Sequence, residues 1–453
     1  MVSDSPATRV DIHCHTFNGA DLPVEGFVRR VVLRDKDWPG WVKARLARWA
    51  DGLVQSPGLG YEPERSILQM MLDHPRRDLL LSAEEQVADE RFNLQVEQDE
   101  AALAAHDPAT AAYLGLAPRQ VRRLDRGETS AFVKFARNLA SSRLDVARRL
   151  VATYPSVDVF TPMLVDMAYG VGDKPLTTVA EQIDLHEKIS SLSIMGRLTQ
   201  RSALLLPFVG FDPRREQHAP GALGLVQDAV MHRGFAGVKM YPPMGFSPLG
   251  NDEPEIDGIL DDLYSWCETE DVPITVHCNK TQGASNASND ERSDPAVWAT
   301  VLDKHPGLHL NLGHFGGVRR TANKPFWPTE IARLARFDHL YADLGCHTDL
   351  LQPPGPNAYA EMLRGVLTGA GAAMRDRLMY GSDWSMLLEH PGCEGYVEAV
   401  SAAFPEGEHD RLLGGRALDF LGLGTVLNEN GHRLRDRITA LGADPATWFA
   451  PRR

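Results

Sequence analysis

The stretch that decides the fold is VDIHCH at residues 10–15, a short apolar run that ends in two histidines one residue apart. Side chains at positions i and i+2 of a strand lie on the same face, so His13 and His15 would project together while Cys14 points to the other side. Two neutral imidazoles on one rigid strand can share a metal ion. An isolated pair of this kind is more often structural, so its meaning depends on the rest of the chain.

Seven further apolar runs follow along the chain, each with the length of a buried strand: 157–164, 204–209, 236–240, 273–276, 308–312, 340–344 and 378–380. Stretches with helical spacing lie between them, among them 180–191, 223–233, 256–269 and 296–305. Strands that alternate with helices indicate βαβ units and a parallel sheet. Eight such strands favour an α/β fold of the closed (β/α)8 TIM-barrel type over an open sheet.

The interval between the first and second strands is much longer than the others and predicts a mainly helical insertion at residues 18–145. Residues 83–105 are rich in the helix formers Glu, Ala, Leu and Gln, and residues 130–153 continue with a helical pattern that would end as the first barrel helix. The barrel would then comprise residues 1–17 and 146–425, with a C-terminal extension at 426–453. Since loops that follow barrel strands leave from the catalytic face, we expect the insertion to be a lid, with a dimerisation surface as the alternative.

Residues with metal-compatible or catalytic chemistry follow four of the other predicted strands. They are Lys239 in GVKMYPP, His277 in PITVHCN, His314 in LNLGHFGG and Asp383 in YGSDWS. In a parallel barrel the carboxyl ends of all strands meet at one face, where the active sites of this fold lie. Each residue alone could cap a helix, but together with His13 and His15 they predict a metal site at the barrel mouth.

This set on the first, fourth, fifth, sixth and eighth strands resembles the amidohydrolase superfamily of metal-dependent hydrolases. Because so few residues precede the first strand, the chain is most similar to the amidohydrolase-related branch, a barrel without an N-terminal β-sandwich. The resemblance implies that His13, His15, His277 and Asp383 bind the principal metal and that Asp383 also carries a proton. His314 would be either a ligand of a second metal or a general acid/base. Zn²⁺ is the expected ion, although other divalent transition metals suit such ligands, with one or two ions per chain.

The chemical state of Lys239 distinguishes a site with one metal from a site with two. A free ammonium beside a divalent cation is repelled, so a lysine at this position needs an explanation. The resemblance implies a lysine carboxylated by CO₂ that bridges two metals. A lysine that holds an anionic group of the substrate, or one with a purely structural role, remains an alternative.

Other residues near the predicted mouth are candidates for substrate contacts. Arg214 and Arg215 could bind a substrate carboxylate or lie in a solvated loop, and Tyr241 could line an apolar pocket. Asn279, two residues after His277, could orient that ligand. Asp343, after the seventh strand, could reach the mouth or serve a structural role.

The expected function is metal-dependent hydrolysis of a C–N or C–O bond, in an amide, lactam or lactone, of a small-molecule or peptide-like substrate. The first alternative is a non-oxidative decarboxylase of an aromatic or unsaturated carboxylic acid, and the second is a barrel that binds a ligand without catalysis.

Composition and charge indicate which partners and which compartment to expect for this chain. The net charge of −14 disfavours nucleic acid and anionic membranes as partners, and no apolar run has the roughly 18 residues of a membrane span. Five scattered cysteines and an N-terminus without a basic-then-apolar layout predict free thiols and a cytoplasmic protein. The large insertion suggests a homodimer.

Overall fold

The computed structural model describes residues 7–34, 36, 38–55, 59–73, 81–106, 108–113, 123–171, 174–218, 221–279, 287–317, 326–351 and 356–449. Its strands are β1 (Val10–Cys14), β2 (Val159–Pro162), β3 (Leu204–Leu205), β4 (Phe208–Phe211), β5 (Gly237–Met240), β6 (Ile274–His277), β7 (Leu310–Gly313), β8 (Leu340–Asp343) and β9 (Leu378–Met379).

All strand pairs are parallel, in the orders β1-β2-β3 and β4-β5-β6-β7-β8-β9. β3 and β4 form the third predicted strand, and Pro207, which has no N–H to donate to a ladder, lies between them. The two sheets meet at both seams: the N–H of Leu164 donates to Phe208 at 2.9 Å, and that of Ile12 donates to Tyr380 at 3.1 Å. Eight strand positions therefore form a ring, and the predicted (β/α)8 architecture is confirmed.

The helices surround this ring and fill the interval after β1. They are α1 (Val24–Phe27), α2 (Gly40–Val54), α3 (Tyr61–Asp73), α4 (Leu81–His106), α5 (Pro108–Tyr113), α6 (Arg123–Leu139), α7 (Arg143–Thr153), α8 (Val179–Ile194), α9 (Ala222–Arg233), α10 (Pro254–Thr269), α11 (Trp298–Lys304), α12 (Trp327–Arg333), α13 (Pro356–Val366), α14 (Ala372–Arg375), α15 (Trp384–Leu387), α16 (Tyr396–Ala403), α17 (Arg416–Phe420), α18 (Glu429–Ala440) and α19 (Ala446–Phe449). Of the helices described, none combines the length and apolar character needed to cross a bilayer.

The helical run predicted at 130–153 is interrupted in the structure. α6 ends at Leu139, and α7 begins after Ser142, whose side chain accepts a hydrogen bond from the N–H of Asp145. A serine at this position accepts a hydrogen bond from an otherwise unpaired N–H of the first helical turn, so a new helix begins here. The apolar spacing alone predicts one continuous helix.

Helices α1–α7 lie between β1 and β2, and several of them share an apolar core with the barrel mouth. Phe27, Val54 and Phe132 pack in one cluster with Val165, just after β2, and with Met244, just after β5. The C-terminal helices α18 and α19 belong to a different cluster with the first residues of β1. The helices after β1 are thus fixed at the carboxyl ends of the strands, and the C-terminal helices near their amino ends.

A buried ion network also ties these helices to the barrel. The guanidinium of Arg143 donates to Asp21 at 2.6 Å and to Glu64 at 3.0 Å, and it reaches Thr177 at 3.1 Å. Arg143 and Asp21 are fully buried. Since the cation and both carboxylates have partners, the network holds these segments in one arrangement without leaving an unpaired buried charge.

Candidate metal centre

The barrel positions two histidines at its mouth, His13 in β1 and His15 directly after it, each with one ring nitrogen held by an acceptor. His13 Nδ1 lies 3.0 Å from the carboxylate of Asp343, and His15 Nδ1 lies 2.8 Å from the carbonyl oxygen of Met163. Both partners accept, so Nδ1 carries the hydrogen in each ring and Nε2 presents a lone pair. Burial lowers the pKa of His13 to about 4, which keeps the ring neutral near pH 7.

Asp383 faces this pair with an oxygen that lacks a hydrogen-bonding partner within the described chain. Its Oδ1 is buried and lies 3.2 Å from Nε2 of His15. A lone pair and a carboxylate oxygen repel at this distance unless a cation or a proton lies between them. The orphaned oxygen and the neighbouring nitrogen therefore fit a metal ion.

The backbone at Asp383 is held in an unusual conformation. Its φ of 54° lies in the left-handed region, and its N–H donates to the carbonyl of His13 at 2.6 Å. Three further non-glycine residues with positive φ, His314, Phe315 and Cys346, follow the neighbouring strands. Such conformations cost of order 1–3 kcal/mol each and concentrate at functional sites. Burial raises the pKa of Asp383, but the nearby histidine rings lower it by more, so the net pKa is below its ordinary value.

His277, the last residue of β6, and His314, the residue after β7, form a second pair. His314 Nδ1 donates to the carbonyl of Gly345 at 2.9 Å, so its Nε2 accepts a hydrogen bond from His277 Nδ1 at 3.0 Å. His277 therefore also presents Nε2 as a lone pair. Burial lowers the pKa of both rings, that of His277 well below its ordinary value. The ring of Tyr241 stacks on His277 with centroids 4.2 Å apart.

Asp343 accepts hydrogen bonds from several groups around the histidines and so fixes their positions. Besides His13, its carboxylate accepts hydrogen bonds from the backbone N–H of His314 at 3.0 Å and of Gly345 at 2.8 Å, and from the Asn311 amide at 2.7 Å. Burial alone would raise the pKa of Asp343, but the His13 ring and these donors hold it far below its ordinary value. Both of its oxygens are engaged, which makes it an orienting residue rather than an open ligand.

Two groups of three side chains within the described chain bring one ligand atom each within 4.8 Å of one another: His13, His15 and Asp383, and His13, His314 and Asp343. The first group contains the orphaned oxygen of Asp383 and two nitrogens with lone pairs. In the second, the oxygens of Asp343 and both ring nitrogens of His314 already have protein partners. The first group is therefore the better metal site.

Lys239 lies inside this cluster. Its Nζ donates to Nε2 of His13 at 2.9 Å, and burial lowers its pKa to about 8. The ammonium thus occupies the lone pair that His13 would offer to a metal. Its charge is also 5.6 Å from the centre of the Tyr241 ring.

The arginines expected to contact substrate are paired within the protein. Arg214 binds the carboxylate of Asp212, with its Nε 2.8 Å from Oδ1, and Arg215 binds that of Asp166, with its Nε 2.6 Å from Oδ2. Each guanidinium is therefore matched by an internal carboxylate, and a contact of either arginine with a substrate stays a prediction. Asn279 lies against Gly317, where a Cβ would fall 2.1 Å from its Oδ1.

Glycines give His13 the room that it needs. A Cβ at Gly381 would lie 2.7 Å from Cβ of His13, and one at Gly345 would lie 3.1 Å from its Nδ1. The approach at Gly381 is closer than side-chain carbons tolerate, so the position of His13 depends on glycine there, whereas the approach at Gly345 is tight.

Two buried carboxyl groups near the site were not singled out from the sequence. Asp11 accepts from the N–H of Ser382 at 2.8 Å, which ties β1 to the strand end that carries Asp383, and burial raises its pKa to about 7. Glu389 is buried, and its Oε1 has no hydrogen-bonding partner in the part of the chain that is described; burial raises its pKa to about 8. Asp11 could have been suspected from its place inside an apolar strand, whereas nothing in the sequence around Glu389 marks it.

A comparison with protein families finds a match over the part of the chain that contains most residues of the metal cluster. Residues 198–423 match the family model for amidohydrolases, a segment that includes Lys239, His277, His314 and Asp383. The comparison with curated proteins found no match.

Solved structures similar to this chain include enzymes with bound metals. An amidohydrolase from Burkholderia multivorans with bound zinc is 17% identical, covers 61% of this chain and 87% of its own, and gives a TM-score of 0.41. A dihydroxybenzoic acid decarboxylase from Polaromonas sp. JS666, with bound manganese and the inhibitor 2-nitroresorcinol, is 14% identical and covers 69% and 92%, with a TM-score of 0.40. The 2,6-dihydroxybenzoate decarboxylase from Rhizobium is 15% identical and covers 61% and 87%, with a TM-score of 0.38.

Proposed function

Since the chain belongs to the amidohydrolase superfamily, we propose that it is a metal-dependent hydrolase that cleaves a C–N or C–O bond of a small-molecule or peptide-like substrate. An amide, lactam or lactone is the substrate class that suits this chemistry. The observation that carries the proposal is the buried Asp383 Oδ1, unpaired among the described residues, 3.2 Å from a ring nitrogen of His15 that bears a lone pair.

His13, His15 and Asp383 would hold the metal, with His277 as the fourth protein ligand. All three histidines carry their hydrogen on Nδ1, so each has a lone pair at Nε2 for the ion. A divalent ion at this position would supply positive charge that polarises a carbonyl and acidifies water. Zn²⁺ is the first choice, and Mn²⁺ suits the same imidazole and carboxylate ligands.

The protein's own groups would move the protons. Asp383, whose Oδ1 would face the metal, would also take a proton from an attacking water and return it to the leaving group. His314 donates from Nδ1 to Gly345, so its Nε2 would act as a base that takes a proton once its bond to His277 yields. Only after it has taken that proton could the ring hold negative charge that develops on the substrate. Tyr241, stacked on His277, would form one wall of the substrate pocket.

Lys239 must change its contacts when a metal binds, because its Nζ now donates to the His13 nitrogen that the ion would use. Carboxylation by CO₂ would turn it into an anion able to bridge two metals. An intact-protein mass increased by one CO₂, with two metals per chain, would establish the bridge; an unmodified mass with one metal per chain would exclude it.

The helices after β1 would cover the substrate. They share an apolar core with Val165 and Met244 at the strand ends, and Arg143 anchors them through Asp21 and Glu64. We therefore propose that the insertion shapes the pocket. Exchange of residues 74–120, a segment that contains α4 and α5 but lies outside the Arg143 network, should change substrate range with little change in metal affinity.

Isotope labelling tests the reaction class. Turnover of a panel of amides, lactams, lactones and hydroxybenzoates by metal-loaded protein in H₂¹⁸O should place ¹⁸O in a carboxylate product. Release of CO₂ without ¹⁸O incorporation would overturn hydrolysis in favour of decarboxylation. If Asp383→Asn matched the wild type on every substrate turned over, the assignment of Asp383 would be wrong.

A further inference from the structure

The end of β8 and the residues that follow it hold His314 at three separate atoms. The side chain of Asp343 accepts from the backbone N–H of His314 at 3.0 Å, and the carbonyl of Gly345 accepts from its ring Nδ1 at 2.9 Å. The third contact is at the carbonyl oxygen of His314, which accepts from Nε2 of His347 at 2.9 Å. His347 belongs to neither group of candidate ligands, so it acts on the site only through the backbone of His314.

The backbone of His314 has a conformation that surrounding contacts must hold. Its φ of 62° lies in the left-handed region, which costs a non-glycine residue of order 1–3 kcal/mol. The carbonyl of His314 also accepts from the N–H of Gly317 at 2.7 Å, but that bond lies within the same turn. The bond from His347 comes from a neighbouring strand end, so it fixes the peptide plane after His314 relative to the barrel. The direction of the His314 ring, and with it the contact of its Nε2 with His277, depends on this conformation.

Two tyrosines hold His347 in turn. The Tyr359 hydroxyl on α13 lies 2.5 Å from Nδ1 of His347, and the Tyr396 hydroxyl on α16 accepts from the His347 N–H at 2.8 Å. Burial lowers the pKa of His347 to about 4, so its ring is neutral near pH 7. Because Nε2 donates to a carbonyl, Nδ1 bears the lone pair and accepts from Tyr359. Tyr396 also donates to the carbonyl of Leu344 at 2.5 Å, which braces the same segment.

We propose that His347 is a positioning residue for the reaction: it sets the direction of the His314 ring through the His314 carbonyl, and Tyr359 keeps Nε2 of His347 donating to that carbonyl. This role rests on the proposed function only in that His314 acts as a base there. His347 would touch neither substrate nor metal, because both of its ring nitrogens are already used. Its loss should therefore lower kcat and leave the metal content and KM near those of the wild type.

Two substitutions of His347 separate positioning from side-chain volume. Glutamine places an amide nitrogen close to the position of Nε2 and can still donate to His314, whereas asparagine is too short to reach that carbonyl. On any substrate that the metal-loaded protein turns over, His347→Asn should lower kcat at least about tenfold, since a small displacement of a reacting group is costly. His347→Gln should stay within about threefold of the wild type, because the donor is kept.

A second position and a control complete the set of variants. Tyr359→Phe, at a half-buried position where folding is not at stake, should give an intermediate loss of kcat, because the ring hydrogen of His347 is then free to move to Nδ1. His305→Asn changes a buried histidine at the end of α11 and should leave kcat unchanged.

NMR of the full, metal-free chain with ¹⁵N-labelled histidines tests the same role without any turnover. The His314 signals are assigned by their loss in His314→Gln. In the wild type they should show one tautomer, with the hydrogen on Nδ1; His347→Asn should move both ring nitrogen shifts toward their mean, Tyr359→Phe should move them part of the way, and His347→Gln should leave them in place.

The two readouts keep this role apart from the proposed function. A protein that turned over no substrate would refute the proposed function, and the spectra would still decide the role of His347. Equal effects of His347→Asn and His347→Gln, on kcat or on the His314 signals, would overturn the proposal. His314 signals that stayed at their wild-type positions in both His347→Asn and Tyr359→Phe would also overturn it.

Discussion

The carboxylate of Asp343 accepts a hydrogen bond from Nδ1 of His13 at 3.0 Å, and this contact decides which nitrogen of His13 faces the metal centre. Partners of this kind fix the tautomer and the ring orientation of a metal-ligating histidine.

Asp343→Asn should therefore weaken metal binding without removing a ligand. The asparagine keeps the shape of the side chain, but its amide nitrogen cannot accept the bonds that one carboxylate oxygen now accepts. Loss of an orienting partner typically costs roughly 10- to 100-fold in metal affinity, and competition with a chromophoric chelator would measure it. Asp212→Asn, a buried carboxylate that pairs with Arg214, is the control. Equal affinity of Asp343→Asn and the control would mean that Asp343 does not orient His13.

Gly381→Ala should impair the metal centre by steric pressure alone. The added Cβ would meet Cβ of His13 at 2.7 Å, and β1 or the strand end at Asp383 must shift to accommodate it. We expect at least about a tenfold loss of metal affinity, since metal sites tolerate only a few tenths of an ångström of displacement. Gly365→Ala, where nothing lies within 4 Å of the added carbon, should leave metal affinity unchanged. A Gly381→Ala protein that binds metal as well as Gly365→Ala would contradict the proposed position of His13.

Arg143→Met should destabilise the whole fold. The substitution leaves the carboxylates of Asp21 and Glu64 buried without their cation, and breaking a buried pair in this way costs about 3–5 kcal/mol. Urea denaturation would show the loss as a lower midpoint. Arg65→Met removes a half-exposed cation near Glu62 and Asp184 and should cost under about 1 kcal/mol. Similar losses in the two variants would show that the Arg143 network does not anchor these helices.

His186 should contribute to acid lability. Its Nδ1 donates to the carbonyl of Gln182 at 2.9 Å, the Thr16 hydroxyl donates to its Nε2 at 3.0 Å, and burial lowers its pKa from 6.5 to about 4. Between these two values the unfolded chain binds more protons than the folded one, so stability falls as pH falls, by up to about 3 kcal/mol for this group.

The free energy of unfolding, measured from pH 7 to pH 4, should fall less steeply for His186→Gln than for the wild type. His432→Gln alters an exposed histidine and should leave the slope unchanged. If His186→Gln showed the wild-type slope, this histidine would not be the group that titrates.

Much of the fold could be predicted from the sequence because buried parallel strands are nearly continuous apolar runs. The eight predicted runs correspond to β1 through β9, and the third divides only where Pro207 interrupts hydrogen bonding. The break between α6 and α7 was not predicted, because the signal is a single capping serine within an unbroken helical pattern. The sequence also predicted that His13, His15 and Asp383 lie close together, because each is at the end of a predicted strand and the carboxyl ends of barrel strands meet at one face.

The roles that depend on side-chain pairing could not be predicted. Arg214 pairs with Asp212 in its own loop, whereas Arg215 pairs with Asp166, which follows β2. Asp343 orients His13, although the sequence placed it no closer to the site than several other residues. Which nitrogen of each histidine carries the hydrogen follows from carbonyl and carboxylate partners on distant strands. Such partners are contacts of the folded chain, and one sequence carries no periodic signal for them.

The most direct test of the account is anomalous diffraction from crystals of the full chain grown with Zn²⁺ or Mn²⁺. We predict an anomalous peak within bonding distance of Nε2 of His13, Nε2 of His15 and Oδ1 of Asp383, with Lys239 moved away from His13. A fully loaded crystal without a peak among these three residues, or with the ion bound elsewhere, would contradict the metal centre and the proposed function with it.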